Sequence, residues 1–97
     1  MKRFSVLYLL KEDFHQIGCQ TQAGAESLLQ RLLADPKRTP VGIYDAKTEL
    51  FAWEPFRQRV YNQSTTGEQG KLGEQIITIA EALRFSGTGE QRSRQPE

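Results

Sequence analysis

Over residues 4–10 apolar side chains occupy both phases of a period-two pattern. Phe4, Val6 and Tyr8 alternate with Ser5, Leu7 and Leu9. A strand that is apolar on both sides belongs inside a sheet, covered on both faces, or covered on one with the other in an interface. Lys11, Glu12 and Asp13 interrupt the run as a charged turn. Residues 14–19 are expected to return as a second strand, with His15, Ile17 and Cys19 on one side and Gly18 weakening it. Then the period changes. Ala25, Leu28, Leu29, Leu32 and Leu33 recur at helical spacing, while Glu26, Gln30 and Arg31 lie off the stripe. Thr21 supplies an N-cap, and Pro36 ends the helix by pushing its predecessor out of the α region.

The stretch 41–56 holds the only tryptophan, Trp53, together with Val41, Ile43, Leu50 and Phe51. These fall in two short β-type runs around Asp45, Ala46, Lys47 and Thr48, a segment of turn composition. A hairpin here is the feature that both helical stretches are expected to cover, with Pro55 stopping its second strand. Residues 56–63 read equally as a helical turn or as an irregular extended piece. Residues 64–73 contain Gly67, Gly70 and Gly73 and read as a loop, although Thr65 and Glu68 have the spacing of a capping box. The last helix is predicted to start near Lys71 or Leu72, with Leu72, Ile76, Ile79, Ala80 and Leu83 as its apolar stripe. The pattern stops after Arg84.

The predicted fold is a small α+β domain of order β-β-α-β-β-α. It has a four-stranded, mainly antiparallel sheet with two helices packed on one face. Residues 1–85 form the single domain, and the polar segment 86–97 is expected to be a disordered C-terminal tail.

A chain of 97 residues has room for one core. With 37% hydrophobic residues it has the apolar content to fold. A net charge of +1 lacks the basic excess that phosphate-driven nucleic-acid binding uses. One cysteine, Cys19, permits neither an intramolecular disulfide nor a Cys-rich metal site. The apolar run near the N-terminus is too short to span a bilayer. It is followed at once by charges rather than a cleavage site, so a cytoplasmic protein with no membrane association is expected.

Four constellations could carry chemistry. His15 and Cys19 are the one imidazole and the one thiol, but on a strand four residues separate them by ~13 Å, beyond the reach of a nucleophile–base couple. Adding Asp13 does not complete a metal site. Asp45 and Glu54 lie at hairpin ends, and no cleft is legible that would set them apart as acid and base. Gly67, Gly70 and Gly73 with Lys71 lack the order of a phosphate loop. Arg57, Arg59 and Tyr61 follow Trp53 and Phe56, an interleaving of cations and rings that could stack bases and hold phosphates.

The function expected from these features is non-catalytic, with no cofactor and no metal. The chain reads as a protein–protein interaction or self-associating module, a homodimer whose contact uses a sheet face left bare by the helices. The interface candidates are Tyr8, Phe51, Trp53, Phe56, Arg57, Arg59 and Tyr61. Single-stranded nucleic-acid binding through 53–61 is the alternative, disfavoured by the net charge, and a small enzyme ranks last.

Overall fold

A computed structural model of the chain describes residues 2–89, with side chains through Phe85. The first hairpin is β1 (Phe4–Leu10) and β2 (Asp13–Cys19), followed by α1 (Gln22–Leu33). The second hairpin is β3 (Arg38–Asp45) and β4 (Leu50–Trp53), followed by α2 (Pro55–Gln63) and α3 (Thr66–Gly89). The strands form one antiparallel sheet in the order β2-β1-β3-β4. The α+β class and the four-stranded sheet are as expected from the sequence, while the described residues form three helices rather than two.

Both hairpins are closed by local backbone chemistry. Lys11 and Glu12 form a two-residue turn with φ of 53° and 69°, the left-handed pair whose twist matches that of the flanking strands. In the second hairpin Asp45 organises the loop. Its Oδ1 accepts from the Lys47 N–H at 2.9 Å, and its carbonyl accepts from the Glu49 N–H at 2.7 Å. The Arg3 guanidinium grips the same carboxylate at 2.8 and 2.7 Å and holds its pKa well below the usual carboxylate range.

The alternation of β1 decides the layering. Phe4, Val6 and Tyr8, with Ile43 of β3, meet Ala25, Leu29 and Leu32 of α1. On the opposite face Leu7, Val41 and Tyr44 meet Ile76 and Ala80 of α3. The expectation of two helices on one face is therefore corrected. β1 carries apolar side chains on both faces, and each helical stripe covers one of them. Among the described residues β1 is covered on both faces, so the bare face on which a homodimer was expected is not found there.

α3 begins at Thr66, earlier than the glycines suggested. The capping box closes as its spacing allows: the Glu68 N–H donates to Thr65 Oγ1 at 3.2 Å, and the Thr65 N–H donates to Glu68 Oε1 at 3.1 Å. These bonds satisfy two donors that the helix start would otherwise leave orphaned. A Cβ at Gly67, Gly70 or Gly73 would meet nothing within 4 Å, so the glycines are tolerated rather than required. Replacing Gly70 or Gly73 by alanine is accordingly expected to raise stability by about 1 kcal/mol each, read by urea denaturation. The backbone of α3 is helical through Gly89. Residues 90–97, most of the expected tail, lie outside the described residues.

Two polar contacts tie α3 to the sheet. The Tyr44 hydroxyl donates to Glu81 Oε2 at 3.1 Å, and Arg84 Nη1 donates to the Oγ of fully buried Ser5 at 2.8 Å. Burial, with Glu81 beside it, pushes the Tyr44 phenol up to about 12. An unfolded tyrosine ionises near 10, so the contribution of this group is whole below pH ~10 and is lost as pH rises toward 12. Alkaline denaturation should show a loss of about 2–3 kcal/mol over that window, and Tyr44→Phe should remove it.

Candidate functional site: a groove where the fourth strand is missing

β4 pairs with β3 only from Trp53 opposite Gly42 to Leu50 opposite Asp45. β3 begins four residues before Gly42, at Arg38, so its outer edge over 38–40 has no strand beside it. Pro40 fits here because it stands opposite Tyr8 at an irregularity in the β1–β3 register, where an N–H would have had no ladder partner. Strand thus begins at Arg38, ahead of the hairpin stretch 41–56 read from the sequence.

α2 takes the place that a longer β4 would have filled. Glu54, 5% exposed, turns its Oε1 back to accept from the Phe56 N–H at 2.6 Å, and Pro55 occupies the first helical turn. The ambiguous segment 56–63 is therefore helix, started by the proline that had looked only like a stop. No residue of α2 is buried.

Between α2 and the free edge of β3 lies a groove of ≈ 700 Å³. β3 contributes Arg38, Thr39 and Pro40 to its lining, β4 contributes Trp53, and α2 contributes Phe56, Arg57, Val60 and Tyr61. Leu33, at the end of α1, and Leu72, in α3, reach it from the two opposite layers. Three of the exposed large apolar side chains meet here. Phe56 is 65% exposed, Val60 54% and Leu33 47%, and all three line the groove. Trp53 is half-buried, while Phe56 and Val60 face solvent rather than the core.

Trp53 is fixed from both sides. Phe51 meets it edge-on at 4.9 Å, and Tyr61 stacks on it at 5.6 Å. Phe51 itself lies over Gly42, where a Cβ would approach its ring to 2.6 Å. Two acids and two arginines line the groove. Asp35 accepts from the Lys37 N–H and from Arg38 Nη1, both at 2.8 Å, which lowers its pKa, and Glu54 caps α2. Arg38 also lies over the Tyr8 ring at 5.7 Å. Arg57 is half-buried and has no hydrogen-bond or ion-pair partner among the described residues.

Four of the seven sequence candidates meet here: Trp53, Phe56, Arg57 and Tyr61. Phe51 stands behind Trp53 and orients it. Arg59 is exposed, with its guanidinium 5.9 Å from the Phe56 ring centroid. Tyr8 does not belong with them. It is buried under α1 and stacked on His15 at 5.4 Å. Leu33, Val60 and Leu72 were missed. The i, i+4 pair Phe56–Val60 was the available signal, and it carries weight only once 56–63 is known to be helix.

The catalytic constellations are not assembled. His15 rests on Tyr8 while Cys19 packs toward the α1 cluster, and Asp45 and Glu54 are each committed to backbone and cap contacts. Among the described residues no group of three His, Cys, Asp or Glu side chains could hold a metal, and no helix is long and apolar enough to cross a membrane. Comparison with protein-family models, with curated proteins and with solved structures finds no match.

Proposed function

We propose that the protein is a non-catalytic binding module that docks an extended, apolar segment of a partner protein in the groove between β3 and α2. The observation that carries this reading is the convergence of Leu33, Phe56 and Val60, all substantially exposed, on one concave site. Isolated surface leucines need no explanation, but a contiguous apolar patch marks an interaction site. The groove lies beside β3 where β4 has ended, so an extended segment can lie along it with apolar side chains in the lining. The edge itself offers only acceptors: Pro40 has no N–H, and the Arg38 N–H faces the Asp35 carboxylate. The half-buried Arg57 favours a segment that also carries a carboxylate.

The nucleic-acid alternative is weaker. Trp53 has Phe51 on its edge and Tyr61 on its face, and the chain's net charge of +1 lacks the basic excess that phosphate binding uses.

The test is a selection of random peptides displayed against the protein, followed by titration of the enriched sequence. Selected peptides should share an apolar anchor, shift the emission of Trp53, and bind at least tenfold more weakly to Val60→Glu. That variant should fold normally, since Val60 is exposed. Binders that ignore Val60→Glu would refute the groove, and selective binding of single-stranded oligonucleotide in a parallel titration would restore the alternative.

A further inference from the structure

The groove holds one cation that the fold leaves unanswered. Arg57 is half-buried in its lining and has no hydrogen-bond or ion-pair partner among the described residues. The other charged groups of the lining are committed elsewhere. Arg38 and Asp35 form an ion pair at 2.8 Å, and Asp35 also accepts from the Lys37 N–H. Glu54 is 5% exposed and turned to the Phe56 N–H at 2.6 Å. α2 itself, PFRQRVYNQ, carries Arg57 and Arg59 and no acid.

Helix stability does not account for this placement. Arg57 stands in the first turn of α2, where the macrodipole favours an acid over a cation. Core packing does not account for it either, since no residue of α2 is buried. The consequence appears when the groove fills. An apolar ligand laid against Phe56, Val60 and Tyr61 takes the neighbouring guanidinium out of water, and an uncompensated charge there opposes binding. A carboxylate on the ligand removes that penalty, because guanidinium and carboxylate match in two parallel hydrogen bonds.

We infer that Arg57 is the specificity-determining residue of the groove, selecting a segment with an Asp or Glu side chain two residues from its apolar anchor. This rests on the docking of an extended segment proposed above and names the chemistry that segment must carry. The spacing follows from the two backbones. Arg57 and Tyr61 are four residues apart on α2, ~6 Å along its axis. In an extended chain, side chains on one side recur every second residue, ~6.6 Å apart. An anchor against Val60 and Tyr61 therefore brings the side chain two positions away over Arg57. The β3 edge offers only acceptors, so discrimination falls to side chains rather than to backbone pairing. One free guanidinium, with Asp35 and Glu54 in the same lining, matches the single charge of a carboxylate rather than a phosphate dianion.

Titration of peptides selected on the wild-type protein tests the inference, against wild type, Arg57→Met and Val60→Glu. Arg57→Met keeps an apolar stem and removes the charge, and it should melt with the wild type because Arg57 has no partner to lose. The peptides should share Asp or Glu two positions from the apolar anchor. Changing that acid to its amide, or Arg57 to Met, should each weaken binding at least about tenfold, and both together no more than either alone. Amidation of the peptide C-terminus should change nothing. Peptides that depend on Val60 but bind Arg57→Met as well as wild type overturn the inference and leave the groove standing. So do peptides whose acid lies at another spacing, or whose binding is lost on C-terminal amidation. Peptides indifferent to Val60→Glu, or a selection that enriches none, overturn the groove and the inference together.

Discussion

Leu7→Ala is expected to cost about 2–5 kcal/mol, the usual range for a buried leucine whose cavity cannot fully collapse. Leu7 is completely inaccessible, at the centre of the face that α3 covers, among Val41, Tyr44, Ile76 and Ala80. Backbone on the β1 side and a helix on the other leave little freedom for the neighbours to close in. Leu50→Ala is the control: that side chain is 67% exposed at the start of β4, and its removal should change stability by less than about 0.5 kcal/mol. Urea denaturation of both variants measures the difference. A cost below about 0.5 kcal/mol for Leu7→Ala would mean that α3 does not sit on this face.

Gly42→Val should be comparably damaging for the opposite reason. A Cβ at Gly42 would collide with the Ala52 carbonyl oxygen and reach the Phe51 ring at 2.6 Å. The carbonyl belongs to the backbone of the neighbouring strand, so relief requires β4 to move away. Overpacking of this kind costs about 1–3 kcal/mol and sometimes more. The effect should extend to the groove, because Phe51 orients Trp53 and Trp53 stands directly opposite Gly42. Tryptophan emission should change in the variant, and affinity for a groove-binding peptide should fall further than in Val60→Glu. A variant with wild-type melting temperature and emission would show that β3 and β4 are not this close.

The strands and α1 were legible because local signals agreed. Alternation, turn composition and the Thr21 cap all pointed one way, and the Thr21 side chain does accept from the Gly24 N–H at 3.1 Å. Where signals conflicted, the weaker-looking one prevailed. At Thr65 the capping box outweighed three glycines, because an isolated glycine costs a helix about 1 kcal/mol while tertiary packing of Ile76 and Ala80 repays more. At Pro55 the residue that ends a strand also starts a helix, and glutamate is not a favoured cap, so the cap at Glu54 gave no warning. The layering was missed for a different reason. The two-sided apolar pattern of β1 was read correctly, but sequence periodicity does not say which helix goes to which face. The groove depends on that placement and on β4 ending four residues short of β3, so only Trp53, Phe56, Arg57 and Tyr61 of its lining were visible in advance.

The claim that function resides in the groove is tested most directly by titrating a selected peptide into isotopically labelled protein and following backbone amide shifts residue by residue. The account expects the largest changes at Arg38, Thr39, Trp53, Phe56, Tyr61 and Leu72, with Phe14, Gln16 and Gly18 undisturbed. Changes centred on β2, or on the outer surface of α3 away from Leu72, would contradict it.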